Sequence, residues 1–179
     1  MNVILIGYRG TGKSAVARRL AERLGRQAID ADVEIESRAG RSIADIFSGD
    51  GEEHFRDLES GVLEDWASRD DTVLAAGGGA VLRETNRKLL RRMGKVVWLC
   101  ASPQTILRRV AEDPDSKRRR PNLTTGGEQE VLELLAARTP IYRECADLVV
   151  DTEDKTPDQV AEEIVRRLEL SASGTAEST

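Results

Sequence analysis

Near the start of the chain, Gly7, Gly12, Lys13 and Ser14 fall in the spacing GxxxxGK[ST], within "GYRGTGKSAVARRL". This spacing suits a loop that wraps phosphate. Its glycines let backbone N–H groups turn inward, and a helix opening at the lysine directs its positive end at the same point. The lysine of such a loop bridges the β- and γ-phosphates, and the serine hydroxyl ligates Mg2+. The pattern is short, so its weight comes from context: an apolar run precedes it and an amphipathic helix follows. It predicts a nucleotide donor site and says nothing of the acceptor.

A second group is acidic. "AIDADVEIE" places Asp30 and Asp32 two apart after a short apolar stretch. Read as extended chain, both carboxylates point to one side, at the strand end where open parallel sheets collect ligands. One can serve Mg2+ while the other accepts a proton from an attacking hydroxyl. The competing reading makes Asp32 the N-cap of the next helix. No strand-end aspartate follows "TVLAA", which favours Asp30 as the carboxylate near the metal.

A third group is basic and out of place. Over 128–144 the apolar stripe runs Val131, Leu134 and Leu135, then Arg138, then Ile141 and Tyr142. A guanidinium on a core-facing stripe needs an anion, because burying it unpaired is costly. Snorkelling or an internal salt bridge is the alternative. Arg56 flanks Phe55 at the edge of its own stripe, where Glu59 at i+3 either pairs with it at the surface or orients it for a ligand. Two inward arginines suit a planar carboxylate. Gly77, Gly78 and Gly79 allow a close approach to the backbone or an anion nest, or else make a tight turn. "SKRRRP" (116–121) reads as a solvated loop or as a basic segment closing over polyphosphate. His54, the lone histidine, is expected at the surface, and Trp66 and Trp98 in the core.

These residues need a frame. Strands are predicted at 2–7, 27–30, 72–79, 95–101 and 147–152. Helices are predicted from Lys13 to a stop at Gly25, over 33–39, 51–69, 84–93, after Ser102-Pro103, over 128–144, and from Thr156-Pro157 to about 170. Ser42 and Asp45 suggest a capping box for a turn holding Ile46 and Phe47. Residues 112–127 read as a mobile loop and 171–179 as a frayed, disordered tail. Strands alternating with helices predict an α/β fold: a three-layer α/β/α sandwich on a five-stranded parallel sheet.

The 179 residues suit one domain, 1–170. A composition of 39% hydrophobic and 33% charged residues marks an ordinary globular chain rather than a disordered one. A net charge of −5 disfavours generic nucleic-acid binding. No run of about 20 apolar residues suggests a membrane span, and the N-terminus lacks the features of a signal peptide. Cys100 and Cys145 have no metal spacing, so a cytoplasmic, reducing compartment is expected. With no apolar stripe left over, the expected state is a monomer.

Taken together, the chain resembles the shikimate kinase family of the nucleoside-monophosphate-kinase-like P-loop group. The likeness runs in order through "GYRGTGKS", "IDADVEIE", "GRSIADIFSGDGEEHFRDLE", "GGGAV", "RRP", "ARTPIYRECAD" and "VDTEDKTP". It implies MgATP-dependent phosphorylation of shikimate at its 3-hydroxyl. It further implies an ATP site at Gly10, Thr11, Gly12, Lys13, Ser14 and Ala15, with Mg2+ at Ser14 and Asp30. By the same likeness Asp32 contacts the acceptor hydroxyls and is the candidate base. Arg56 and Arg138 grip the carboxylate, Gly77, Gly78 and Gly79 touch the acceptor, and Phe47 and Phe55 wall its pocket within a segment of about 32–60. Arg109 and Pro157 sandwich adenine with Lys155 nearby, and Arg120 reaches the phosphates from a lid over about 112–125. "RRRPNLTTGG" departs from the commoner leucine-rich continuation, so Arg118 or Arg119 shares that candidacy. A kinase for another hydroxy acid or a nucleotide, and a non-catalytic P-loop module, are the competing readings.

Overall fold

The computed structural model describes residues 1–113 and 127–171. The apolar run "NVILI" forms β1 (Asn2–Ile6), buried along its whole length. Its alternation divides the core. Ile4 and Ile6 enter one apolar cluster, and Val3 and Leu5 enter another on the opposite face. The first cluster also takes residues of α2 (Ala31–Ala39), α3 (Ile43–Trp66) and α4 (Glu84–Met93). The second takes α1 (Lys13–Leu24) and α7 (Pro157–Arg167). A strand covered on both faces has no need of polar alternation, which is why "NVILI" and β4 (Gly94–Cys100) read as continuous apolar runs.

Five parallel strands form the sheet in the order β2-β3-β1-β4-β5, with β2 at Gln27–Asp30, β3 at Thr72–Ala75 and β5 at Leu148–Asp151. Excursions from β1 pass first to one side, to β2 and β3, and then to the other, to β4. The carboxyl end of β1 is therefore the switch point at which ligands of such sheets gather. The three-layer sandwich is as expected.

Local corrections have physical causes. The predicted turn at Ser42 is a helix start: the Ser42 hydroxyl accepts from the Asp45 N–H at 3.1 Å and donates to the Asp45 carboxylate at 2.6 Å. The helix then runs on to Trp66, broken at Gly51 by a left-handed φ of 84°, so the predicted 51–69 helix is the second limb of α3. β3 stops at Ala75, before the glycines, and α7 stops at Arg167 rather than 170. α5 (Pro103–Glu112) and α6 (Gly127–Cys145) flank the undescribed segment that contains most of the proposed lid.

Candidate active site

Gly7, Gly10 and Gly12 carry φ values of 141°, 79° and 88°, which side-chain-bearing residues rarely adopt. They bend the chain from β1 into α1. Lys13 Nζ donates to the carbonyls of Gly7 and Tyr8 at 2.8 and 2.9 Å, so the ammonium lies folded over its own loop. The Thr11 hydroxyl turns inward to the Tyr8 carbonyl at 2.7 Å and lines a separate apolar cavity with Trp98 and Leu135. The Thr11 backbone N–H donates to the same Tyr8 carbonyl at 3.4 Å.

A cavity of about 400 Å³ opens over this loop, and its walls include Gly10, Gly12, Lys13, Ser14, Ala15, Asp30, Asp32, Gly78 and Arg109. Arg9, Arg18 and Asp113 also line it and were missed from the sequence. Arg18 was findable, because it stands at i+4 from Ser14 on one helix face.

The acidic pair is arranged differently from the extended-chain expectation. The helix begins at Ala31, so Asp30 is the N-cap and accepts from the N–H groups of Asp32 and Val33 at 3.0 and 3.4 Å. Asp32 lies in the first turn, which removes its N-cap reading. Both carboxylates still line the one cavity, and a Cβ on Gly77 would sit 3.2 Å from Asp32 Oδ1.

Arg56 is not a surface residue. It is 7% exposed, with Nη1 at 2.8 Å from Glu59, whose side chain has no exposed surface, and Nη2 at 3.0 Å from Glu52. Burial pulls the guanidinium pKa down, but the Glu59 and Glu52 carboxylates outweigh it and leave the pKa raised. The glycine triplet accommodates this pair. A Cβ on Gly79 would overlap the Arg56 guanidinium, and one on Gly77 would overlap the Glu59 carboxylate. Gly78 stands between the triplet and the phosphate loop, 3.5 Å from the Arg9 N–H by the same construction.

Arg138 is half-buried, its guanidinium 5.7 Å above the Tyr8 ring. The ring of Phe47 meets that of Phe55 at 4.7 Å, and Phe55 is fully buried. Arg56, Arg138, Phe47, Phe55, Gly77 and Gly79 are not among the walls of the cavity over the loop. Phe47, Phe55, Arg56, Gly77 and Gly79 group around Glu59, and Gly77 brings that group close to Asp32 of the cavity wall. Arg109 donates to Thr152 at Oγ1 (2.9 Å) and at the carbonyl (2.8 Å), and to the Gly10 carbonyl at 3.4 Å. Lys155 bonds the Asp151 carbonyl and Glu163, each at 2.8 Å, and exposed Pro157 opens α7; neither lines the cavity. Arg118, Arg119 and Arg120 lie outside the described residues. His54 is exposed, as expected, 3.8 Å from Asp50.

A phosphate loop at a parallel-sheet switch point, with carboxylates across one cavity, defines a P-loop kinase. The comparisons identify the family. The shikimate kinase family model matches residues 9–169, and the chain belongs to that family. It is 49% identical to the shikimate kinase of Chromohalobacter salexigens over 92% of this chain and 90% of that one. To the enzyme of Symbiobacterium thermophilum it is 44% identical over 94% and 97%. Among solved structures, shikimate kinase from Acinetobacter baumannii in complex with shikimate superposes with a TM-score of 0.88 at 38% identity, over 94% of this chain and 92% of that one.

Proposed function

We propose that this chain transfers the γ-phosphoryl group of MgATP to the 3-hydroxyl of shikimate, giving shikimate 3-phosphate and ADP on the route to aromatic amino acids. One observation carries the reading: the phosphate loop and Asp32 face one cavity, and beside it an arginine is held by a buried carboxylate against a glycine triplet. The loop grips the donor, Arg56 and Arg138 grip the acceptor carboxylate, and Asp32 orients the hydroxyl and takes its proton. Lys13 leaves its carbonyl partners for the β- and γ-phosphates. Arg109 and Pro157 take adenine, and Arg120 serves the phosphates.

The donors Ser14 and Asp30 are hard oxygens on one cavity wall, as Mg2+ requires. Among the described residues no cluster of three acidic, His or Cys side chains forms a dedicated cage, which suits an ion held largely by substrate phosphates and water. When bound, Mg2+ supplies charge neutralisation at the β- and γ-oxygens.

No described helix is long and apolar enough to cross a membrane. Unpaired Cys100 and Cys145 support a reducing cytoplasmic setting. The exposed large hydrophobics among the described residues, Met1, Val33, Leu132 and Val149, lie on separate elements, which supports a monomer. The test is ADP release with and without shikimate. We expect release to depend on shikimate. Release at the same rate without it, or faster release with a nucleoside monophosphate, overturns the proposal.

A further inference from the structure

Tyr142 lies one turn after Arg138 on α6, and its side chain has no exposed surface. Its hydroxyl donates to the Gly78 carbonyl at 2.5 Å, across 64 residues of sequence. With its single proton committed there, the phenol oxygen presents only lone pairs to other neighbours. Arg138 stands at i−4 on the same helix, and its charge opposes the effect of burial on the phenol. The ring is stacked on Trp98 at 5.8 Å and cannot swing away, while the Tyr8 ring lies under the Arg138 guanidinium at 5.7 Å. Burial pushes the phenol pKa up to about 12, so the hydroxyl keeps its proton throughout the working range of pH.

The geometry points to Tyr142 as a positioning residue of the acceptor half of the site: its buried hydroxyl holds the Gly78 carbonyl, one helical turn from Arg138. This rests on the proposed acceptor roles of Arg138 and Gly78. Holding the Gly78 carbonyl fixes the plane of the Gly78–Gly79 peptide, and with it the direction of the Gly79 N–H. A phenylalanine would fill the same volume and stack on Trp98 equally well. The hydroxyl is therefore what distinguishes a positioning role from packing.

The test is steady-state kinetics of Tyr142→Phe in the full chain, with ATP and shikimate varied separately. We expect the shikimate KM to rise about 10-fold, as for loss of a supporting hydrogen bond to a binding group, with the ATP KM changed less than about two-fold. Arg138→Lys is run beside it. If Arg138→Lys raises the shikimate KM and Tyr142→Phe does not, the positioning role is overturned while the acceptor site stands. If neither variant moves it, the acceptor reading fails and this inference with it.

Should Tyr142→Phe not fold, the wild-type chain labelled with 3-fluorotyrosine answers the question, since it has only two tyrosines. Tyr8→Phe assigns the two fluorine resonances. Shikimate should shift the Tyr142 signal and its neutral carboxamide should not. A Tyr142 signal that shikimate leaves in place overturns the role.

Discussion

Glu59 holds Arg56 at 2.8 Å with its own side chain wholly buried, and the two side chains occupy the space that Cβ atoms on Gly77 and Gly79 would otherwise claim. Arg56, proposed to bind the acceptor carboxylate, is thus fixed by the Glu59 carboxylate on one side and by the bare backbone of Gly79 on another. Removing one member of a buried pair strands the other charge. Glu59→Ala should cost about 3–5 kcal/mol in urea unfolding and raise the shikimate KM. Glu52→Ala, whose carboxylate is 63% exposed, should cost under about 1 kcal/mol. Equal unfolding midpoints for the two variants would contradict this.

The triplet glycines should respond unequally to alanine. Gly79→Ala and Gly77→Ala collide with Arg56 and Glu59, whereas a Cβ on Gly78 meets its nearest atom at an ordinary 3.5 Å. Melting temperatures should fall for the outer two and stay near wild type for Gly78→Ala. A uniform fall across all three would show that the triplet is constrained by its backbone instead.

Asp32→Asn keeps the shape of the side chain and removes the proposed base. The expectation is a kcat lower by about 10²–10⁴-fold with a near-normal ATP KM, read by coupled ADP release. Near-normal kcat would take Asp32 out of the role. Asp30→Ala instead removes a helix cap, worth about 1 kcal/mol, and should raise the Mg2+ concentration needed for half-maximal rate.

Alkaline pH tests the buried phenol. Tyr142 moves from an ordinary value of 10.0 up to about 12 in the fold, so the folded state holds its proton more tightly than the unfolded chain. Its stabilising share is complete below pH 10 and is lost as pH rises toward 12. Unfolding free energy measured over that interval should fall more gently in Tyr142→Phe than in the wild type. Parallel curves would refute the shift.

Much of this was legible in the chain. Spacing announced the phosphate loop, and continuous apolar runs announced the doubly covered strands, because both signals are local. The Asp30–Asp32 reading failed at one point: an extended chain and a helical first turn are equally compatible with "IDADVE", and the cap decides between them. Arg56 stayed ambiguous because helical periodicity places a residue on a stripe but cannot say what packs above it. Here that is Gly79, beyond the sight of any local pattern. The same limit hid Thr152, which receives two bonds from Arg109 across 43 residues. The triplet was read as open to a close approach or as a tight turn, and two of its three glycines also make room for the protein's own side chains.

Lys13, resting on the carbonyls of Gly7 and Tyr8, has a kinetic consequence. The ammonium acts as a placeholder cation that keeps those carbonyl dipoles satisfied while phosphate is away. With Lys13 in its proposed phosphate role, nucleotide entry would be a partner exchange, in which two neutral acceptors are traded for anionic ones without the cradle having to be built. On that role, product departure would run the trade backwards: the same carbonyls would recapture the amine as ADP loosens, leaving the loop ready for the next donor.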